Sequence, residues 1–270
     1  MGRARSALRQ FSRVRGQRLD RMALRLGGLC ACAAALWLAT PPALAAPQCG
    51  PGRSEAHVVG RPGSDTAWRA GPLARTRLWR SVPKRNDSSI GWVGSGEAPW
   101  LLVLRTARDR QGRCWLRVRL PSRPNDAAAW INADRVELRP TRWRIVVSRR
   151  ARTVTVYRDG RRLRRFRVVV GAPSTPTPHG LFSIVGVWPW DPADFLGSYI
   201  LPITAHSNVL QEFGGGDGRV GIHGRGGSSL LDPLGAARSH GCIRLANGAI
   251  EWLVRRVGAH GLPGIPLRVR

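Results

Sequence analysis

Between residues 223 and 247 the chain reads HGRGGSSLLDPLGAARSHGCIRLAN, which gathers a thiol, two imidazoles and several arginines into one short stretch. Cys242 follows His223 and His240, and Arg244 comes two residues after it. A cysteine becomes a competent nucleophile when a base takes its proton or a positive surround stabilises its thiolate, and this composition offers both. Side chains alternate along a strand, so an extended run turns His240, Cys242 and Arg244 to the same face. Gly241 leaves the backbone open to close approach by a substrate, and the amides of Gly241 and Cys242 are candidates to face a developing oxyanion. The same residue types serve other ends. A lone cysteine is also a small buried hydrophobe, and His223, His240 and Cys242 are zinc ligands in kind, although no convincing fourth ligand accompanies them.

Cysteine parity reaches Cys242 by another route. Residues 1–25 carry eight arginines against Asp20, and an apolar run follows from Leu26 to Leu38. Thr40-Pro41-Pro42 breaks that run, and Ala43-Leu44-Ala45 supplies small residues. This order reads as a secretory signal peptide over residues 1–45, with an apolar core short of the roughly 20 residues of a spanning helix. The expectation is an exported protein of the cell envelope (cell wall or periplasm), held at a membrane only if the segment is retained. Its loss removes Cys30 and Cys32 and leaves Cys49, Cys114 and Cys242. An odd count outside the cytoplasm implies one unpaired thiol. Cys49 and Cys114 share an N-terminal segment and are able to pair, which leaves Cys242 over.

The charge limits the partners less sharply. The 270 residues carry a formal +28, almost all from arginine, with Lys84 the only lysine. Such a surface attracts polyanions in general. No zinc-finger spacing and no aromatic strand motif of the RNA-binding type accompanies it, so nucleic acid is not expected, while anionic cell-wall polymers remain possible partners.

The elements that must position the site are short strands. From 48 to 140, Trp79–Val82, Trp100–Leu104 and Cys114–Leu120 are apolar runs divided by turn residues. Cys114–Leu120 alternates apolar residues with arginine, the period of a half-buried strand. Pro121–Asp126 is a turn cluster, and Ala129–Ile131 begins another strand. Strands at this spacing predict a small barrel. Pro140-Thr141 marks a boundary. Beyond it Arg144–Ser148, Thr153–Arg158, Phe166–Val170 and Leu181–Val185 are strand-like, and Asp159-Gly160 is a hairpin turn. Helical spacing is clear only from Asn247 to Arg256, with Ile250, Leu253 and Val254 on one face. The fold class is mainly β: a small barrel over 48–140, then a second β domain over 141–270 with a late helix.

Two resemblances sharpen this. The segment CWLRVRLPSRPNDAAAWINADRVEL resembles the end of a bacterial SH3-like domain, a kind that binds wall components or holds a catalytic domain in place. More specifically, His223, a spacer of 15 residues and Ser239-His240-Gly241-Cys242 resemble the signature of the L,D-transpeptidase, or YkuD, catalytic domain. Val168–Gly171 followed by TPTPHG, and FGGGDGRVGIHG around the first histidine, agree with it. The resemblance spans residues 141–270 and implies a β-sandwich L,D-transpeptidase catalytic domain. It implies Cys242 as nucleophile, His223 as base oriented by the carbonyl of Gly224, and Ser239, His240, Gly241 and Arg244 around the substrate. Some relatives carry a polar residue where this chain has Gly224. The implied substrates are peptidoglycan stem peptides, with no metal or organic cofactor. The implied reaction is formation of 3→3 cross-links, or attachment of amines to stem peptides, through a Cys242 thioester. L,D-carboxypeptidase hydrolysis and non-catalytic peptidoglycan binding are the alternatives. A papain-like endopeptidase places its cysteine before its histidine, the reverse of the order here.

Overall fold

The computed structural model describes residues 66–94 and 100–270. The expected signal segment and Cys49 lie outside the described residues. The first part of the chain supplies β1 (Ala67–Pro72), β2 (Thr76–Leu78), β3 (Gly91–Val93), β4 (Leu101–Arg108), β5 (Cys114–Arg119), β6 (Ala128–Asn132) and β7 (Val136–Thr141). An antiparallel sheet runs β6-β5-β4-β1-β7, and the β2–β3 pair joins β6 through a bridge between Trp79 and Trp130. The alternation in β5 buries Leu116 and Val118 completely, against Val103, Ala129 and Ile131. The run Trp79–Val82 contributes only the Trp79 bridge. The chain then turns at Pro83, and the Asp87 carboxylate accepts a hydrogen bond from the Lys84 amide at 2.9 Å. Cys114 is disulfide-bonded.

The second part carries β8 (Trp143–Ser148), β9 (Thr153–Arg158), β10 (Arg161–Arg167), β11 (Val170–Gly171), β12 (Gly180–Ser183) and β13 (Trp188–Pro189). It continues with β14 (Tyr199–His206), β15 (Arg219–His223), β16 (Ala237–Ser239), β17 (Ile243–Arg244), helix α1 (Asn247–Val257) and β18 (Pro266–Val269). One sheet runs β10-β9-β8-β18-β12, a second runs β13-β14-β15-β17, and β11 and β16 form a short parallel pair. Val147, Val154 and Val156 of the first sheet share a core with Leu201, Ile203, Ile222 and Ile243 of the second. Ile250 and Leu253 of α1 complete that core. The protein is thus mainly β with one helix among the described residues, as the sequence pattern predicts.

Local chemistry explains the strand ends. Asp159 and Gly160 both have positive φ (52° and 71°), the backbone of a tight hairpin turn between β9 and β10. Strand β10 begins five residues before the expected Phe166–Val170 run. It lies at a sheet edge with most of its arginines exposed, so it has no apolar alternation to read. Arg69 of β1 donates to the carbonyls of Gly261 (2.9 Å) and Pro263 (3.0 Å), tying the first sheet to the chain before β18.

Candidate active site

The site is built where β15 and β17 run side by side. Their parallel register pairs Ile222 with Ile243 and His223 with Arg244. Paired residues on parallel strands share a face and alternate residues return to it, so His223, Arg244 and Gly221 turn the same way. Cys242 stands one residue before β17, and the Gly221 amide donates to its thiol. With strands about 4.8 Å apart, Cys242 sits diagonally across from His223.

The imidazole is fixed and neutral. Its Nδ1 lies 2.8 Å from the Gly224 carbonyl, which only accepts, so Nδ1 carries the hydrogen and the Nε2 lone pair is left for a proton. His223 is buried, and burial pushes its pKa from 6.5 down to about 4; the Arg244 charge acts in the same direction, against the Gly224 and Leu196 carbonyls. The backbone needs glycine here. A Cβ at residue 224 would collide with Asn247 Oδ1 and stand 2.9 Å from the Ser198 amide. Asn247 is the hub of this corner. Its Oδ1 accepts from the amides of Ser198 (3.2 Å) and Arg225 (2.9 Å), and its Nδ2 donates to the Pro192 carbonyl at 3.1 Å.

Burial also dominates at the thiol. Cys242 is part-exposed as a residue and is the free cysteine among the described residues, yet enclosure of its sulfur raises the pKa. The Gly221 amide and the Arg244 charge offset this in part. The resting pair is therefore neutral thiol beside neutral imidazole, which suits proton transfer concerted with attack better than a preformed ion pair.

The structure corrects one element of the sequence reading. Residues 239–244 are not one extended strand: β16 ends at Ser239 and β17 begins at Ile243, with a turn between them in which Gly241 has φ of 119°. His240 is exposed and packs on Phe213, with ring centres 4.9 Å apart. The Gly241 amide is also taken up, donating to Ser239 Oγ at 3.2 Å, and does not face an oxyanion. Ser239 is buried, and its hydroxyl donates to the Cys242 carbonyl at 2.6 Å, so it clamps the turn. Among the described residues no group of three or more His, Cys, Asp or Glu side chains stands at metal-binding spacing.

The positioning roles of Thr175, Thr177 and Asp232 escaped the sequence reading. Thr177 Oγ1 donates to the Gly241 carbonyl at 2.8 Å and accepts from the Gly171 amide at 3.0 Å, while Thr175 Oγ1 donates to the Ser239 carbonyl at 3.1 Å. The TPTP segment thereby braces the turn that carries the thiol. Asp232 holds the buried Arg244 guanidinium at 2.6 Å. Phe195 lies over that guanidinium at 4.7 Å and beside His223, with ring centres 6.4 Å apart. Trp188 of β13 and Trp190 just after it are half exposed. His206 is buried, with Nε2 3.0 Å from Asp217 at the base of the loop bearing Phe213.

Comparison with known proteins bears on the second part of the chain. Residues 142–264 match the family model of the L,D-transpeptidase catalytic domain. A Bacillus licheniformis protein named for an L,D-transpeptidase YkuD is 33% identical over 105 residues, which cover 39% of this chain and 54% of that protein. The match thus spans about half the length of this curated relative. Among solved structures, the catalytic domain of the Enterococcus faecium L,D-transpeptidase is similar at 22% identity and TM-score 0.35, covering 47% of this chain and 96% of that one. An L,D-transpeptidase from Mycobacterium tuberculosis is similar at 16% identity and TM-score 0.39, covering 74% and 99%.

Proposed function

We propose that this chain, whose residues 142–264 match the L,D-transpeptidase catalytic-domain model, is an exported cysteine acyltransferase that cross-links peptidoglycan stem peptides. The observation that carries this reading is an imidazole held through Nδ1 by the Gly224 carbonyl, on the strand beside the free thiol. His223 Nε2 accepts the Cys242 proton as the sulfur attacks the carbonyl of the bond after the third residue of a tetrapeptide stem. The Arg244 charge favours the thiolate as it forms. The bond to the terminal D-alanine breaks, its nitrogen takes the proton from the imidazolium, and a thioester remains on Cys242. The side-chain amine of a second stem then attacks the thioester, His223 takes its proton, and the thiol is re-formed as a 3→3 amide appears. Arg244 has one Nη committed to Asp232, so it serves the site by its charge more than by holding a substrate carboxylate.

The test offers the full chain a tetrapeptide donor with and without an amine acceptor, and resolves products by mass. Cross-linked dimer supports transfer, and tripeptide alone supports the L,D-carboxypeptidase alternative. Binding to peptidoglycan with no turnover supports the non-catalytic one.

The remaining parts of the reading concern setting. We assign residues 1–45 as the export signal, 48–140 as an SH3-like domain and 141–270 as the catalytic domain. The five-stranded antiparallel sheet with its added β2–β3 pair supports the SH3-like assignment. Cys49 is the partner we assign to the disulfide-bonded Cys114, which matches the export reading. Anionic wall polymers are proposed as a second ligand. Arg149, Arg150, Arg152, Arg165, Arg167 and Arg270 line two adjoining clefts with no acidic side chain. Salt-sensitive retention on a phosphodiester polymer, lost when Arg150 and Arg152 become Ser, is the expected result; salt-insensitive retention contradicts it.

A further inference from the structure

The loop between β14 and β15 (residues 207–218) reaches the turn that carries Cys242, and it is held by the first part of the chain. At its tip Phe213 and Gly216 exchange backbone hydrogen bonds of 3.0 and 3.1 Å, and Phe213 stacks on His240, two residues from Cys242. Gly214 and Gly215 have positive φ (59° and 78°) and bring no side chains to the tip. Such a segment keeps one geometry only when something else fixes it.

The loop joining β5 to β6 in the first sheet does so. Arg123 Nη1 donates to the Ser207 carbonyl at 2.7 Å, and its Nη2 donates to the carbonyls of Leu210 (3.0 Å) and Asp217 (3.1 Å). One planar guanidinium thus grips both limbs of the 207–218 loop. Asn125 makes a two-point contact with His206, its Oδ1 accepting from the backbone amide at 2.7 Å and its Nδ2 donating to the carbonyl at 2.8 Å. Nδ2 also donates to Asn208 Oδ1 at 2.7 Å. Arg219 Nη2 donates back to the Pro121 carbonyl at 3.1 Å and to Asp217 at 2.9 Å. Gly218 leaves room for this grip, since a Cβ there would meet the Leu210 carbonyl and stand 2.9 Å from Arg123 Nη2.

We propose that the 121–126 loop is a clamp that sets residues 207–218 as one wall of the substrate cleft, with Arg123 and Asn125 as positioning residues for capture of the stem peptide. This rests on the acyltransferase reading for its substrate, while the clamp itself rests on the contacts above. It gives the N-terminal part of the chain a task in catalysis beyond tethering.

The test compares the full-length wild type with Arg123→Ala, Arg123→Lys and Asn125→Ala. Hydrogen exchange of residues 207–218, read by mass, is expected to speed up by about tenfold or more in Arg123→Ala, since charge-assisted bonds to backbone carbonyls are lost. The KM for a tetrapeptide donor is expected to rise by about tenfold with a smaller change in kcat. Alkylation of Cys242 by iodoacetamide, which is too small to need the wall, is expected to stay at the wild-type rate. Arg123→Lys, which keeps the charge, is expected to recover part of the KM loss. Should Arg123→Ala fail to fold, Asn125→Ala carries the same readouts. Wild-type exchange and wild-type KM in a folded variant overturn the proposal, and so does a slowed alkylation matching the loss in turnover. A wild type that never forms an adduct instead refutes the acyltransferase reading, and exchange of 207–218 still reports on the clamp.

Discussion

The neutral state of His223 has a consequence for stability that is measurable without any substrate. Burial takes its pKa from 6.5 down to about 4, so between those values the unfolded chain binds a proton that the folded chain refuses. Stability contributed by the neutral imidazole is therefore complete above about pH 6.5 and is lost as pH falls through that window. The gap corresponds to about 3 kcal/mol, a large share of a domain's net stability. Denaturant unfolding of the wild type and of His223→Gln from pH 7.5 to pH 4 isolates it. His206, also lowered mainly by burial, titrates in both proteins and cancels in the comparison. The wild type is expected to lose roughly 2–3 kcal/mol more than His223→Gln over this range. Parallel curves would show that the imidazole is solvated and would refute the reasoning. The same displacement predicts that the acid limb of kcat/KM falls close to pH 4 and not near 6.5.

Further perturbations test the supports of the site. Alkylation of Cys242 is expected to be slow at neutral pH and to rise well into the alkaline range, because burial raises the thiol's pKa; a plateau already reached below pH 7 would mean a preformed thiolate. Gly224→Ala is expected to cost about 1–3 kcal/mol through its collision with Asn247, and to lower kcat by displacing the carbonyl that orients His223, checked by melting and donor turnover. Asp232→Ala strands the buried Arg244 charge and is expected to destabilise the chain by about 3 kcal/mol or more, with Asp232→Asn milder, measured by denaturant unfolding. Thr177→Val removes the donor to the Gly241 carbonyl and the acceptor for the Gly171 amide, and is expected to reduce turnover by about tenfold with little change in overall fold by circular dichroism.

Local pattern made the strands around the site and the helix Asn247–Val257 legible, because Ile250, Leu253 and Val254 recur at the helical period and are all buried. Strand β10 was not legible at its start, since an arginine-rich edge strand has no buried face to mark it. The extended reading of His240–Arg244 failed for a different reason. Gly241 permits a φ of 119°, and the brace that exploits it comes from Thr175 and Thr177, more than 60 positions earlier. Asp232 and Asn247 were hidden in the same way: their roles depend on partners that meet only in the folded chain. The hold of Arg123 on the 207–218 loop spans the two parts of the chain, and periodicity within either part carries no trace of it.

Acylation of Cys242, with His223 as its base, is directly observable. The most direct measurement is intact-protein and peptide mass spectrometry of the full chain after brief exposure to a tetrapeptide stem. The expected result is a tripeptidyl adduct mapped to Cys242 with release of one D-alanine, absent in Cys242→Ala and greatly slowed in His223→Gln. Turnover surviving in Cys242→Ala, or an adduct on any other residue, would contradict it.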